Sequence, residues 1–183
     1  KGKNEVKLEL GDFRKLIKKL PDSSIDLILT DPPYPEEYLP LWLSLAEEAK
    51  RVLKPGKFLI AYSGQKFLPQ VIENLGKHLK YYWCAGLYHK GPTAQRFEVN
   101  MWNRFKPILI YYKPPLEKQT EWIEDIVVSE APNKEMHEWG QSVEPLIKLL
   151  KTFSKEGDTI CDPFFGGGSA IEASLKTDRN FIG

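Results

Sequence analysis

The sequence predicts an α/β domain on a mostly parallel sheet, and three observations predict it. Short apolar, strand-like runs alternate with segments of helical periodicity along the chain. Two runs, "ILTDPPY" and "ICDPFFGGGS", end abruptly in polar turns where a strand would hand over to the next element. No repeat or low-complexity linker interrupts the alternation, so residues 1–183 read as a single domain.

The elements follow in order. Val6 to Leu10 is a strand candidate broken by Gly11-Asp12, and "FRKLIKKL" adds one or two helical turns before Pro21. Ile25 to Thr30 is a compact buried strand. From Glu36 or Pro40 to Leu53 apolar residues recur at helical spacing, and "KPG" stops them. Phe58 to Tyr62 is a strand and Lys66 to Leu75 a helix ending at Gly76. Tyr81 to Leu87 and Pro107 to Tyr112 are strands, the proline marking the second as an edge or a strand start. Residues 88–136 are otherwise an irregular, insertion-like region of weak periodicity. Ser142 to Thr152 is helical, Thr159 to Cys161 a strand, and Gly167 to Leu175 a helix approached through glycines. The final "RNFIG" reads as a strand just begun; with no initiator methionine, this leads to the expectation of a piece of a longer product, truncated at its C-terminus.

Composition narrows the classes. Hydrophobic residues make up 42% and charged residues 28%, as in a globular domain with a sizeable core. No window reaches the ~18 apolar residues of a membrane helix, and the lysine-rich start has no secretory core, so a cytoplasmic protein with no membrane contact is expected. Cys84 and Cys161 are too few and too far apart for a disulfide framework or a thiolate site, and the 3 histidines form no metal triad with carboxylates. A net charge of +1 neither demands nor forbids a nucleic-acid partner, because a local basic face can steer one.

The glycine-rich element invites a chemical reading. Gly166, Gly167 and Gly168 allow positive φ and a close approach of ligand to main chain, and the helix behind them presents free N–H groups. It is neither the G-x-G-x-x-G fingerprint nor a Walker loop. One reading is a tight strand-to-helix turn. The other is a loop over a small ligand: an anion, or a zwitterionic amino-acid group with its carboxylate toward the helix and its ammonium toward Asp162.

Together, "TDPPY" (Thr30 to Tyr34) and "CDPFFGGGS" (Cys161 to Ser169) resemble the two signatures of S-adenosylmethionine-dependent amino-methyltransferases acting on DNA. The first looks like the catalytic D/N/S-P-P-Y/F/W motif and the second like the methyl-donor motif D-P-F-x-G-x-G. The catalytic motif comes first, as in the circularly permuted, beta-type enzymes. "GDFRKLIKKLPDSSIDLILTDPPY", "EEAKRVLKPGKFLIAYSG" and "HEWGQSVEPLIKLLKTFSKEGDTICDPF" resemble the family's other segments, so the likeness spans nearly the whole chain and is weakest from Tyr88 to Met136. It implies a Rossmann-like methyltransferase fold with permuted motif order, S-adenosylmethionine as cofactor, DNA as partner, and either a homodimer or a separate specificity partner. There are departures. "HEWGQS" lacks the family's usual lysine, with Ser142 in its place; Gly167-Gly168-Ser169 stands where serine, glycine and threonine are common; and the acidic residue usual just past "FIG" would lie beyond Gly183.

The resemblance assigns roles. An exocyclic base amine is a poor nucleophile because its lone pair is delocalised into the ring. Asp31 would accept one N–H and the Pro32 carbonyl the other, pyramidalising the nitrogen for direct in-line displacement. Pro32 and Pro33 stiffen that main chain, and Tyr34 would stack on a base extruded from the duplex. Asp162, Pro163, Phe164, Gly166, Gly168 and Ser169 would line the donor pocket, Phe164 against the donor's adenine or simply in packing. Asp12 resembles the acid near the donor's adenine edge, with an ordinary turn aspartate as the other reading. His137 and Gln141 would line the donor side, brace the catalytic loop, or sit on the surface. Ser63 and Gly64 flank the cleft by position alone.

Lys90, Arg96, Arg104 and Lys106 surround Phe97 and Trp102, a composition suited to phosphate contact with stacking, or to a merely solvated loop. Lys90, Arg96, Trp102 and Arg104 are the candidate nucleic-acid contacts. An aspartate in the catalytic motif tilts the expected target toward adenine N6, site-specifically in DNA. The alternatives are cytosine N4, or a catalytically silent nucleic-acid-binding or assembly protein of the same fold.

Overall fold

Residues 4–90, 95–118, 122–129 and 143–183 are described by a computed structural model. In chain order the strands are β1 (Val6–Lys7), β2 (Ile25–Thr30), β3 (Leu53–Tyr62), β4 (Lys80–His89), β5 (Gln95–Arg96), β6 (Met101–Trp102), β7 (Phe105–Tyr112), β8 (Ile126–Ser129), β9 (Thr159–Cys161) and β10 (Asn180–Ile182). The α-helices are α1 (Phe13–Leu16), α2 (Leu39–Val52), α3 (Leu68–Gly76), α4 (Glu144–Phe153) and α5 (Ser169–Lys176). The main sheet runs β1-β10-β9-β2-β3-β7-β4-β8, and β5 and β6 form a separate antiparallel ribbon. Every neighbouring pair in the main sheet is parallel except the two made by β7, which runs antiparallel to β3 and to β4.

The sheet is covered on both sides, which explains the near-continuous apolar runs. Ile28, Leu59, Ala61, Leu109, Tyr111 and Cys161 face one core with Trp42, Leu45, Ala46 and Ala49 of α2 and Val71 and Leu75 of α3. Their strand neighbours Leu27, Leu29, Phe58, Ile60, Ile108, Ile110 and Ile160 face the other, with Leu149, Leu150 and Phe153 of α4 and Ala170 and Ala173 of α5. Alternation of two within each strand thus builds a three-layer domain. Phe58 is 1% exposed and its ring lies 5.1 Å from that of Phe153. Phe58→Ala is therefore expected to destabilise the fold by about 3–5 kcal/mol, seen as a lower urea midpoint at unchanged slope.

Several boundaries differ from the sequence reading, each for a local reason. A 3₁₀ turn at Glu36–Tyr38 precedes α2, and Pro40 sits in its first turn, where a missing N–H costs nothing. "KPG" does end the helix, but it lies inside β3: the register against β2 shifts where Leu53 and Phe58 face Ile25 and Leu27, and Gly56 takes φ +81°. β7 is an interior strand, not an edge. Pro107 accepts the Ser63 N–H at 3.0 Å but has none to return, so the β3–β7 ladder ends there. β8 and the β5–β6 ribbon lie within 88–136, where weak periodicity concealed them. β10 is held between β1 and β9, with Gly183 N–H donating to Lys7 O at 3.0 Å.

Candidate active site

From β9 the chain winds outward through β10 toward the β1 edge, and from β2 it winds the other way through β3. The winding therefore reverses between β9 and β2, the place where open α/β sheets bind ligands beyond their strands' carboxyl ends. The two strands are parallel neighbours, with Leu27 opposite Ile160 and Ile28 opposite Cys161. Asp31 to Tyr34 and Asp162 to Ser169 leave their carboxyl ends side by side. The two loops are also bonded: buried Thr30 donates its Oγ1–H to Oδ1 of buried Asp162 at 2.5 Å.

On the β2 side, Asp31 stands at the cleft with its side chain 40% exposed, followed by buried Pro32 and half-buried Pro33. Tyr34 donates its hydroxyl to Asp31 Oδ1, and Lys106 on β7 donates to Oδ2 at 2.7 Å. The Lys106 ammonium lies over two rings, 5.2 Å from the Tyr34 centroid and 4.9 Å from that of Tyr62. Burial, reinforced by the Asp31 charge, raises the Tyr34 and Tyr62 hydroxyls above the usual phenol range, so both remain proton donors. Tyr34 packs directly on Gly64, where a Cβ would come within 3.1 Å of its Cβ and Cγ. That contact and the buried Ser63 give the two position-based candidates a place in the cleft wall.

On the β9 side, burial pushes the Asp162 carboxyl up to about 7, against the pull of the Thr30 hydroxyl and the Phe164 N–H at 3.0 Å, both on Oδ1. Burial first, then the Asp162 charge, pushes the Cys161 thiol up to about 12. The loop beyond Pro163 divides its two phenylalanines. Phe164 packs at 4.8 Å on Phe13 of α1, and Phe165 stands edge-on to Phe181 of β10 at 6.3 Å. Gly166 takes φ +47° and Gly168 φ +87°, the latter as N-cap of α5, with Ser169 as the helix's first residue. A Cβ at Gly167 would meet nothing within 4 Å, so the loop faces open space. Asp12 caps α1 by accepting the Arg14 N–H at 3.0 Å, and its fork with the Arg14 side chain holds the carboxyl down at about 2.

The structure thus gathers Asp31, Pro32, Pro33, Tyr34, Asp162, Pro163, Phe164, Gly166, Gly168 and Ser169 around one junction, with Asp12 at the start of the helix bearing Phe13. Gln65 anchors the segment after the ribbon to this cleft, donating to Asn103 Oδ1 at 3.0 Å and Phe105 O at 2.6 Å. Arg96 on β5, Trp102 on β6, Arg104 and Lys90 are exposed beside it. His137 and Gln141 lie outside the described residues. Lys106 belongs with Asp31, a placement its sequence neighbours do not signal: the pairing of β7 with β3, ending at Tyr62 opposite Ile108 and Ser63 N–H on Pro107 O, carries it past the cleft. Nor do the sequence neighbours of Thr30 and Tyr62 signal their places beside Asp162 and Lys106.

The DNA methylase family model matches residues 113–183. The chain is similar to the type II methyltransferase M.BamHI of Bacillus amyloliquefaciens, at 24% identity over 97% of its residues, and spans 53% of that protein's length. Among solved structures, the M1.HpyAVI–SAM complex superposes with a TM-score of 0.78 at 19% identity, covering 97% of this chain and 91% of that one. The cytosine-N4-specific PvuII DNA methyltransferase gives a TM-score of 0.81 at 14% identity, covering 98% and 81%. These likenesses establish the fold: a mostly parallel Rossmann-like α/β sheet with permuted motif order.

Proposed function

We propose that this chain carries the methyl-transfer site of an S-adenosylmethionine-dependent DNA amino-methyltransferase, acting on the N6 amine of an extruded adenine. The observation that carries this reading is the adjacency of the Asp31 and Asp162 loops at the switch point, tied by the Thr30–Asp162 hydrogen bond. The match of residues 113–183 to the DNA methylase model and the likeness to a protein solved with SAM support the chemistry.

The residues present fit the donor. Asp162 offers a buried carboxylate for its ammonium, the glycine loop leaves room for main-chain approach, and the first N–H groups of α5 suit its carboxylate. When bound, S-adenosylmethionine supplies an electrophilic methyl group on a sulfonium. The chain's residues do the rest. Asp31 takes a hydrogen bond from the target amine in place of the Lys106 and Tyr34 donors it holds in the free cleft, aiming the nitrogen lone pair and offsetting the charge that grows there. The Tyr34 face offers stacking for the base, and the two prolines hold the loop against recoil. An aspartate in the catalytic motif favours adenine; the likeness to a cytosine-N4-specific enzyme favours cytosine N4 as the second reading.

The test is transfer of labelled methyl from S-adenosylmethionine to unmethylated DNA, followed by nucleoside analysis. N6-methyladenine supports the first reading and N4-methylcytosine the second. DNA binding with neither donor binding nor product indicates a silent binding protein of this fold. The exposed Arg96, Trp102 and Arg104 beside the cleft support DNA contact through the ribbon. Removing Arg96 or Arg104 is expected to weaken binding to all sequences alike and to reduce the salt slope by about 1 each, measured by titration over a salt series.

A further inference from the structure

Thr30 is the last residue of a strand whose six residues are all buried. Valine would fill the same volume with the same preference for extended backbone, so the hydroxyl is what distinguishes threonine at this position. That hydroxyl goes to Asp162 at 2.5 Å, the short distance of a bond assisted by charge. Thr30 is 2% exposed and Asp162 5%, so water does not compete for either. Among the described residues, Asp162 receives hydrogen bonds on Oδ1 only, from Thr30 and from the Phe164 N–H at 3.0 Å. The next residue along the chain is Asp31.

We propose that Thr30 is a positioning residue that couples the two halves of the site: its hydroxyl holds the Asp162 carboxylate ready for the donor's ammonium while its main chain sets Asp31 beside it. The inference rests on the reading of the glycine-rich loop as the donor site. A cation-binding carboxylate must be ionised, and burial works against that here, drawing the Asp162 carboxyl up to about 7. Among the described residues, few groups act on it. Thr30 and the Phe164 N–H favour the carboxylate, Asp31 disfavours it by like charge, and the Cys161 thiol beside it stays neutral. Lys106, the cation on the β2 side of the cleft, is engaged by Asp31. Thr30 is thus one of two donors that keep the carboxylate charged near neutral pH, and the one whose hydrogen bond a side-chain substitution removes.

The experiment compares wild type, Thr30→Val and Thr30→Ser in two measurements: titration of the Asp162 carboxyl by carbon NMR in the free protein, and calorimetric binding of S-adenosylmethionine across pH. Thr30→Val is expected to move the Asp162 midpoint up by about one pH unit, weakening donor affinity relative to wild type about fivefold near pH 7. The ratio of the two affinities should return to about one near pH 9, and Thr30→Ser should behave as wild type throughout. An unmoved Asp162 midpoint in a Thr30→Val protein that melts cooperatively overturns the proposal, as does an affinity loss equal at both pH values. Failure of the wild-type chain to bind the donor at any pH overturns the donor-site reading instead, and the free-protein titration still decides whether Thr30 holds Asp162.

Discussion

Asp31→Ala is expected to lower the rate of methyl transfer by about 10³-fold or more while leaving donor affinity within about twofold. The carboxylate lies on the β2 side of the cleft and takes no part in holding the Asp162 loop, whose bonds come from Thr30 and Phe164. Removing it takes away the acceptor that would orient the target amine and offset its growing charge. It also strands the Lys106 ammonium over the Tyr34 and Tyr62 rings, close to where positive charge must develop. Stability should fall by no more than about 1 kcal/mol, since the Asp31–Lys106 pair is part-exposed. Asp31→Asn keeps the shape and one acceptor oxygen but no charge, and should fall between wild type and alanine. Single-turnover transfer and donor titration on the same preparations separate the two effects. Full transfer activity in Asp31→Ala would sink the proposed role.

The second large effect is expected at Asp162, where function and stability should move in opposite directions. Asp162→Asn retains an oxygen for Thr30 and the Phe164 N–H but offers the donor's ammonium no charge, so affinity should fall by about 100-fold or more at neutral pH. The sign of the stability effect follows from the carboxyl's position. Burial raises it from 3.8 to about 7, so the folded state binds the proton more tightly than the unfolded chain does. Wild type therefore loses stability from Asp162 as pH rises through that window, each pH unit being worth about 1.4 kcal/mol. Asp162→Asn escapes this loss. It should be more stable than wild type near pH 8 by at most about 4 kcal/mol, less the about 1–3 kcal/mol of an amide left without an acceptor. The gain should disappear as pH falls below about 4, leaving Asp162→Asn less stable than wild type by the about 1–3 kcal/mol of the amide alone. Melting curves at the two pH values measure it, and a lower stability of Asp162→Asn near pH 8 would show that Asp162 supports the fold rather than a ligand.

Much of the fold was legible because its signals are local. Apolar runs bounded by turns marked β2, β3, β7 and β9, and the spacing of Trp42, Leu45, Ala46 and Ala49 marked α2. The weaker passages were those whose structure depends on distant partners. Val127 is buried on β8, yet that strand of 4 residues alongside β4 has neighbours too mixed to read as one. Pro107 suggested an edge or a strand start because a proline in a ladder forfeits a bond. It sits instead in an interior strand, at the position where the ladder on its β3 side ends.

The site divides in the same way. The chemical character of each half is written in local sequence, because a carboxylate before two prolines and a carboxylate a few residues ahead of three glycines are properties of short segments. That the halves are neighbours comes from the fold, since their adjacency depends on β2 pairing with β9 across more than a hundred residues of chain. Thr30 bonded to Asp162, and Lys106 set against Asp31, are consequences of that strand order. Side-chain periodicity tells which face a residue occupies; it carries no information on which strand lies next to it.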